Sequence, residues 1–279
     1  MNKFLQHNKM GENKEYILGT NQTELERLGF QHKVWKKITD SFFDRINIQK
    51  GWKCLDVGAG PGFVSMELID KVGEGGEVTA LEPSELFLNN FKEHCSKKDI
   101  KNVNFIHGNL EETDLENDHY DLIFLRWVID FVPEPEKFLL KLLSALKKGG
   151  VIAIEDYNYE GIALFPKGGA FDNITETVRN YWRAGGGDPY FISKIPLIFK
   201  SNNIELLDFS PQSLAGDTDS DIYEWANRFF SVHLQIMADL KVISQKESDE
   251  MLADWNVHKS DPSTVFFSPI MVDVTGRKK

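Results

Sequence analysis

Short apolar runs alternate with helical patterns through the middle of the chain, from about residue 53 to residue 156. The runs are rich in Val, Ile, Leu and Phe and are bounded by Gly, Pro, Asn or Asp, which is typical of buried strands. They predict strands over 53–57, 77–82, 103–107, 120–127 and 151–155. Strands that alternate with helices in this way form a parallel sheet whose two faces are covered by the helices.

Three of the intervening segments have the apolar periodicity of helices, at 63–72, 84–97 and 135–148. In the third segment, the apolar side chains recur every three or four residues and form one stripe. Ser84 is a suitable N-cap for the second helix. Gly149 and Gly150 are expected to end the third helix, because glycine is typical of helix C-termini.

Two further strands are predicted near the end of the chain, over 204–209 and 270–275, the second directly after Pro269. Proline cannot donate to a strand ladder and therefore suits the start of a strand. Helical stretches rich in aromatic residues interrupt the alternation at 11–46, 171–202 and 219–258. We interpret these three stretches as a helical cap on an α/β core.

Composition limits the partners of the protein. The formal net charge of −11 over 279 residues argues against nucleic acid, because phosphate contacts need clustered Lys and Arg. No apolar run approaches the roughly 20 residues of a membrane span, and the polar residues 1–15 do not resemble a signal peptide. The two cysteines make no disulfide framework. We therefore expect a cytoplasmic monomer or homodimer that binds neither nucleic acid nor membrane.

The turn after the first predicted strand carries the most specific motif, Asp56-Val57-Gly58-Ala59-Gly60-Pro61-Gly62. Glycines let a ligand approach the backbone closely. The helix that is predicted to follow offers free N–H groups and the positive end of its dipole. Because ligands of open parallel sheets bind beyond the carboxyl ends of the strands, this turn predicts a ligand site.

The spacing of the glycines separates two classes of cofactor. The dinucleotide fingerprint is G-x-G-x-x-G or A, whereas here Gly62 comes one position early and the bulky Phe63 follows it. With Asp56 two positions before the first glycine, the motif D-x-G-x-G-x-G resembles the first signature of class I S-adenosylmethionine-dependent methyltransferases. The resemblance implies S-adenosyl-L-methionine as cofactor and S-adenosyl-L-homocysteine as product.

This resemblance also implies the fold class and the domain organisation. The expected fold is α/β and Rossmann-like, a mostly parallel seven-stranded sheet whose last strand is antiparallel, with helices on both faces and a helical cap. Residues 1–50 are then an N-terminal helical lead-in and 51–156 the cofactor-binding core. Residues 157–203 are a cap insertion. Residues 204–279 hold the last two strands, with a helical insertion at about 219–258.

The ends of the next two strands supply further expected contacts to the cofactor. Glu82, followed by Pro83, is an acidic residue about 20 positions beyond the glycine turn, where it can accept hydrogen bonds from both ribose hydroxyls. Asn109, followed by Leu110, stands where the family commonly has an acidic residue that contacts the adenine amino group. An amide carbonyl can accept the same bond without charge.

Arg126, followed by Trp127, ends the fourth predicted strand and can form a bidentate pair with the methionine carboxylate. A salt bridge at the sheet edge explains Arg126 equally well. Beyond these motifs, the lead-in around Tyr16 and Gln31 and the run Gly185-Gly186-Gly187-Asp188-Pro189 resemble a large bacterial group, the type 11/25-like methyltransferases with a helical cap. By that resemblance, Tyr16 and Gln31 close over the methionine end of the cofactor.

The expected cofactor contacts are Tyr16, Gln31, Asp56, Gly58, Ala59, Gly60, Gly62, Glu82, Pro83, Asn109, Leu110, Arg126 and Trp127. Methyl transfer from a sulfonium is a single displacement in which positioning supplies much of the rate, so a general base is optional. The candidate bases are Asp156, Tyr157 and His32, with Asp130 a further possibility. No metal is expected.

The abundance of aromatic residues in the predicted cap favours a small-molecule acceptor. We expect methylation on nitrogen or oxygen, with carbon as a further possibility. Three other functions stay open. A protein that binds the cofactor without transferring its methyl group would carry the same motifs. A nicotinamide-dependent oxidoreductase is disfavoured by the glycine spacing. A protein methyltransferase is disfavoured by the cap expected to close over the site, and an RNA methyltransferase by the lack of a basic patch.

Overall fold

The structure is a computed structural model that describes residues 22–279, with side chains from residue 24 onward. Its strands are β1 (Lys53–Val57), β2 (Glu77–Glu82), β3 (Val103–His107), β4 (Tyr120–Arg126), β5 (Leu146–Asn158), β6 (Ala163–Phe165), β7 (Ile204–Gln212), β8 (Ala215–Gly216), β9 (Val265–Phe267) and β10 (Ile270–Lys278). Its helices are α1 (Gln22–Ile46), α2 (Phe63–Val72), α3 (Glu85–Lys97), α4 (Pro135–Ala145), α5 (Ile174–Ala184), α6 (Ile195–Ser201), α7 (Asp221–Asp239) and α8 (Gln245–Lys259).

Within this described range, seven strands form one sheet in the order β3-β2-β1-β4-β5-β10-β7. The neighbours from β3 to β5 are parallel, and β10 runs antiparallel to both β5 and β7. Residues 122–125 of the central strand β4 are completely buried, as expected for a parallel strand covered on both faces. The predicted mostly parallel sheet with its last strand antiparallel is therefore confirmed.

Helices cover both faces of this sheet. On one face, α1, α2 and α3 share a core that includes Phe43, Leu68 and Phe91. On the other face, α4 and α6 pack through residues such as Leu142 and Phe199. Ser84 caps α3 as predicted, because its hydroxyl accepts a hydrogen bond from a backbone N–H in the first turn. Among the described residues, no helix is long and apolar enough to cross a bilayer.

The prediction that the third helix extends to residue 148 is wrong. Helix α4 ends at Ala145 and β5 begins at Leu146, so Gly149 and Gly150 lie in a strand and do not end a helix. The pairing of β5 with β4 is irregular at this point. A Cβ on Gly150 would lie only 2.9 Å from the carbonyl oxygens of Lys147 and Tyr120. The two glycines therefore lie at an irregularity of the strand, where backbone atoms approach closely.

The cap contains a small sheet that the sequence patterns did not predict. Strands β6, β9 and β8 pair antiparallel in that order, with helices α5, α7 and α8 beside them. These strands are only two or three residues long, too short to show an alternating pattern. The cap is therefore helical only in part. The boundaries between cap and core stay a prediction, since α6 packs into the core of the main sheet.

Candidate active site

The three glycines after β1 have different neighbours. All three have positive φ angles, +68° at Gly58, +56° at Gly60 and +85° at Gly62. A Cβ on Gly58 would lie 2.6 Å from Val128, and one on Gly62 would lie 2.3 Å from the ring of Phe91. A Cβ on Gly60 would meet no described heavy atom within 4 Å. The outer glycines thus allow close packing, and the middle one leaves an open space at its Cα.

The carboxylate of Glu82 lies beside this open space. Its two oxygens accept hydrogen bonds from the backbone N–H of Gly60 at 2.7 Å and of Ser84 at 2.8 Å. Burial raises the pKa of Glu82, and the two backbone hydrogen bonds oppose that rise. Because a carboxylate offers about four acceptor positions, two remain for a pair of ligand hydroxyls. The residues therefore fit the ribose of an adenosyl group.

Asp56, the first residue of the motif, is a structural carboxyl. It is buried at the end of β1 and accepts a hydrogen bond of 2.5 Å from the hydroxyl of Ser65 on α2. Burial raises the pKa of Asp56 to about 7, and the Ser65 hydrogen bond and the charge of Arg126 oppose the rise. Nearby, the N–H of Ala59 donates to the carbonyl of Leu81 at 3.1 Å. These contacts fix the glycine turn between β1, β2 and α2.

The predicted adenine contacts lie at the ends of β2 and β3. Asn109 is exposed. Its backbone carbonyl accepts hydrogen bonds from the N–H and the hydroxyl of Thr113, at 3.0 and 2.7 Å. Leu110 is buried in the core, whereas Pro83 is exposed. The N–H of Gly108 donates to the carbonyl of Glu82 at 3.2 Å. The backbone therefore joins the predicted adenine and ribose contacts.

Helix α1 holds the guanidinium of Arg126. One nitrogen donates to the hydroxyl of Thr39 at 3.0 Å, and another lies 3.1 Å from Nδ1 of His32. The Thr39 hydroxyl in turn donates to the buried carboxyl of Glu155 at 2.8 Å. The guanidinium also lies over the ring of Trp127, with 4.3 Å to the ring centroid. The side chain is thus fixed on several sides at the carboxyl end of β4.

His32 links α1 to α2. Because a guanidinium can only donate, Nδ1 of His32 accepts from Arg126 and Nε2 carries the proton. Nε2 lies 3.3 Å from a carboxylate oxygen of Glu67. The imidazole also stacks on Phe63, with 5.2 Å between ring centroids. His32 is therefore engaged on both nitrogens, in contacts that position Arg126.

The two carboxyls of Asp130 and Asp156 are buried near the ends of β4 and β5. One oxygen of Asp156 accepts from the N–H groups of Val128 and Ile129, both at 2.9 Å, and the other from Tyr157 at 2.9 Å. Burial raises the pKa of Asp156 to about 6. Burial and the nearby Asp156 raise the pKa of Asp130 well above its usual range. Asp156 thus braces the turn after β4, and its predicted role as a base stays a prediction that this geometry does not favour.

The Gly185–Pro189 run packs against this turn. The N–H of Asp188 donates to the carbonyl of Asp130 at 2.9 Å. A Cβ on Gly187 would lie 2.3 Å from that same oxygen, so only glycine fits. The motif that the sequence singled out therefore fixes the turn following β4 from the side of the cap.

Trp127 and Tyr157 join the cofactor side of the site to the cap. Trp127 has a φ of +58°, a conformation that costs a non-glycine residue about 1–3 kcal/mol and is typical of functional sites. Its ring stacks on that of Tyr157, with 5.9 Å between centroids and 12° between planes. Burial raises the pKa of the Tyr157 phenol well above its usual value. The phenol therefore keeps its proton near neutral pH.

Beside these two rings lies a cavity, which we call the aromatic cavity. It is bounded by the end of the sheet and by α1, α5 and α7, and most of its walls are aromatic. Its lining residues are Arg27, Gln31, Trp127, Phe131, Tyr157, Tyr159, Ile162, Val178, Trp182, Trp225, Ala226, Phe229, Phe230, Phe266 and Pro269. An apolar cavity with a few polar groups at the carboxyl edge of an α/β sheet is typical of a ligand site.

Gln31 lies in this cavity and not on the Arg126 side of α1. It is buried, and its carbonyl oxygen accepts from Arg27 at 2.7 Å and from the indole N–H of Trp225 at 3.2 Å. Tyr16, the other residue predicted to close over the methionine end, lies outside the described residues. The structure thus places Gly60, Glu82 and Arg126 along the sheet edge, and Gln31 in the wall of the aromatic cavity.

Thr39 is not among the site residues predicted from the sequence. The sequence does carry a signal for its role, because His32 and Thr39 are seven residues apart and so lie on one face of a helix. Polar residues at that spacing in an otherwise apolar stripe indicate a shared buried partner, here Arg126.

Residues 48–217, more than half of the chain, match a family model described as a methyltransferase domain. The chain belongs to the class I S-adenosylmethionine-dependent methyltransferases. The predicted family and its cofactor, S-adenosyl-L-methionine, are thereby confirmed.

Curated relatives of this methyltransferase cover part of its length. It is 30% identical over 151 residues to a demethylmenaquinone methyltransferase of Listeria monocytogenes, a match over 47% of this chain and 63% of the relative. It is also 30% identical over 135 residues to the protein of that name from Staphylococcus epidermidis, over 48% of this chain and 54% of the relative. The chain thus spans less than two thirds of these relatives.

Solved structures with the same fold include two proteins named as methyltransferases and one named as a cyclase. The geranyl diphosphate C-methyltransferase of Streptomyces coelicolor has a TM-score of 0.56 at 10% identity, over 93% of this chain and 85% of that one. The Haemonchus contortus phosphoethanolamine N-methyltransferase 2, in complex with S-adenosylhomocysteine, has a TM-score of 0.54 at 17% identity, over 94% and 55%. The [4+2]-cyclase SpnF has a TM-score of 0.56 at 14% identity, over 87% and 80%. At these identities the likeness shows the fold alone.

Proposed function

We propose that this protein transfers a methyl group from S-adenosyl-L-methionine to an oxygen or nitrogen atom of a small molecule bound in the aromatic cavity. The observation that carries the proposal is the position of Trp127 and Tyr157. Both lie at the carboxyl ends of the central strands, beside the expected cofactor contacts, and both line the cavity. The names of the relatives, which give a small-molecule acceptor, support this class of substrate.

Four of the expected cofactor contacts have a defined task in this proposal. The open space at Gly60 admits the adenosyl group, Glu82 accepts hydrogen bonds from its ribose, and Asn109 accepts one from the adenine amino group. Arg126 would pair with the methionine carboxylate, and its guanidinium lies over the ring of Trp127. When bound, the cofactor supplies a carbon activated by its positively charged sulfur.

The protein contributes position and shielding rather than a strong base. The bound cofactor would supply the methyl group and leave as S-adenosylhomocysteine, and an acceptor hydroxyl or amine would release its proton to solvent. Asp156 is occupied by three backbone hydrogen bonds, and His32 is bonded on both nitrogens. Holding reactants at near-attack distance can supply roughly 7–11 kcal/mol of the barrier, enough to make a base optional.

The first test is thermal unfolding in parallel with S-adenosylhomocysteine, S-adenosylmethionine, NAD and NADP. A ligand at 100 times its dissociation constant adds about 2.7 kcal/mol to the free energy of unfolding. We expect stabilisation by the two adenosyl compounds alone, followed by transfer of labelled methyl to acceptors that fit the cavity. Stabilisation by NAD or NADP alone would contradict the proposal, and binding without any transfer would indicate a non-catalytic protein.

A matched pair of variants locates the cofactor site. Gly60 and Gly149 both have positive φ, and a Cβ added to either would meet no described heavy atom within 4 Å, so valine strains both backbones alike. Gly60→Val is expected to abolish stabilisation by S-adenosylhomocysteine because its side chain fills the open space at Gly60. Gly149→Val, on β5 away from the glycine turn, should still be stabilised by S-adenosylhomocysteine. Equal losses in the two variants would place the cofactor elsewhere.

A further inference from the structure

The polar groups of the aromatic cavity indicate the chemistry of the molecule that it binds. We propose that this molecule is planar and conjugated and is held through a phenolic, enolic or carbonyl oxygen, not through an ammonium group. The inference rests on the proposed function only in naming this molecule the methyl acceptor. Its binding in the cavity stands on the contacts described next.

Two hydrogen-bond donors of the cavity walls are unsatisfied. The hydroxyl of Tyr157 and the indole N–H of Trp182 are buried and have no hydrogen-bond partner in the described part of the chain. Both side chains line the cavity. A buried donor without a partner costs about 1–3 kcal/mol, so such groups are usually paired by a ligand or water. A bound oxygen acceptor would satisfy them, whereas an ammonium group, which only donates, would not satisfy the indole.

The polar side chains contributed by α1 also offer donors. The carbonyl oxygen of Gln31 is already occupied by Arg27 and Trp225, which leaves its NH₂ group. Arg27 itself makes two hydrogen bonds to the carboxylate of Glu24, at 2.7 and 2.6 Å. The cavity thus has a guanidinium whose charge is balanced by a carboxylate outside the lining. The hydrogen-bond donors that α1 and α5 contribute therefore favour a ligand with hydrogen-bond acceptors.

The lining also disfavours a cation. Among the described residues, the lining contains Arg27 but neither Asp nor Glu. An ammonium group would therefore find no carboxylate in the lining to pair with, and burial of an unpaired charge is costly. Aromatic rings can bind cations through their faces, so a cation cage is the rival that the experiment must exclude.

The arrangement of the rings suits a flat molecule. The ring planes of Trp127 and Tyr157 are nearly parallel, 12° apart. Phe131 meets Trp182 edge-on, with 4.8 Å between centroids and 76° between planes. Walls of this kind offer both faces and edges to an inserted ring, which is how aromatic pairs prefer to pack. A planar conjugated ligand is thereby favoured over a branched aliphatic one.

Three probes of similar size separate the alternatives: naphthol, naphthalene and naphthylmethylammonium. Their dissociation constants are measured by equilibrium dialysis with S-adenosylhomocysteine present. We expect naphthol to bind about tenfold more tightly than naphthalene, the effect of one or two buried hydrogen bonds. The ammonium probe should bind more weakly than naphthalene. Tyr157→Phe should reduce the preference for naphthol over naphthalene to about twofold or less.

The control is Tyr223→Phe. Tyr223 is buried in the same aromatic cluster and its hydroxyl has no partner in the described chain, but it does not line the cavity. This variant should keep the full preference for naphthol. Tightest binding of the ammonium probe, equal binding of all three, absent binding of naphthol, or an unchanged preference in Tyr157→Phe would each overturn the inference. Naphthol binding by a protein that neither binds S-adenosylhomocysteine nor transfers methyl would instead refute the proposed function alone.

Discussion

The carboxylate of Glu82 has two roles at the level of a single residue. It holds the glycine turn through the N–H of Gly60 and the start of α3 through the N–H of Ser84. Its remaining acceptor positions lie beside the open space at Gly60. A carboxylate is suited to both tasks because it only accepts hydrogen bonds, while an amide would bring a donor to a place where two N–H groups already point.

Glu82→Gln is therefore expected to weaken binding of S-adenosylhomocysteine about tenfold to a hundredfold, the usual effect of losing a charged hydrogen-bond partner. Calorimetric titration measures the change. Glu85→Gln, an exposed carboxylate in the first turn of α3, is the matched control and should bind as the original protein does. If the two variants had the same affinity, Glu82 would not contact the ribose.

The sequence predicts well which residues lie at the sheet edge. It predicts less well how their side chains are oriented. Gly60 and Glu82 follow from the spacing of the motif, because backbone turns and strand ends are encoded locally. Asp156 lies near the end of β5, but its carboxylate accepts three backbone N–H groups and is completely buried. That orientation depends on a turn 28 residues earlier, at Val128, which no local pattern reveals.

At the level of elements, α1 contributes to both halves of the site. His32 and Thr39 hold the guanidinium of Arg126, while Arg27 and Gln31 line the aromatic cavity. The docking of this one helix therefore sets the position of Arg126 and part of the cavity wall together. We infer that Thr39 is a positioning residue that acts on the cofactor through Arg126.

Thr39→Val tests this role with two ligands. The variant removes the hydroxyl between Arg126 and Glu155 and should weaken binding of S-adenosylhomocysteine about three- to tenfold, the value of one hydrogen bond. Methylthioadenosine lacks the amino-acid part, so its affinity should not change. Thr39→Ser restores the hydroxyl and should restore affinity. A parallel loss for both ligands would mean that Thr39 only supports the fold.

Elements with a complete apolar pattern were predictable from the sequence, and the strands of two or three residues in the cap were not. Strands β1, β2 and β3 and helix α2 have the predicted bounds, since their apolar periodicity extends over a whole element. The junction of α4 and β5 was misplaced because glycine suits a helix end and a strand irregularity equally well. The cap strands depend on pairing between distant segments, such as Leu164 with Phe266.

Across the whole molecule, several carboxyl groups are buried under the sheet edge and α1. Burial raises the pKa of Asp56 to about 7, that of Glu155 to about 8 and that of Asp273 to about 6. In the unfolded chain these groups lose their protons at lower pH. Between the unfolded-state and the folded-state pKa of each group, the folded protein therefore binds more protons than the unfolded chain. Its free energy of unfolding falls as the pH rises through that window.

Glu155→Gln isolates one of these groups. The folded-state pKa of Glu155 rises from 4.5 to about 8, so its contribution to stability decreases between those values by up to about 1.4 kcal/mol per pH unit. Glutamine does not titrate. From pH 5 to pH 8, the melting temperature of the variant should therefore rise relative to that of the original protein. Glu250→Gln, an exposed site on α8, should show no such trend, and a trend of equal size there would contradict the assignment.

Other predictions about the whole molecule stay predictions. They concern the cytoplasmic location, the lack of nucleic-acid binding and the choice between monomer and homodimer. The net charge of −11 supports the second of them, because polyanions are repelled by an acidic surface. Gel filtration with light scattering measures the oligomeric state directly.

The shared use of α1 also affects how new specificities can arise. A substitution at Gln31 or Arg27 alters a helix that positions Arg126, so a change of acceptor made there also disturbs the cofactor. Cavity residues on α5 and α7, such as Val178 and Phe229, have no such link to Arg126 among the described contacts. Divergence toward different acceptors should therefore accumulate on α5 and α7, and engineering of the cavity is best begun on those two helices.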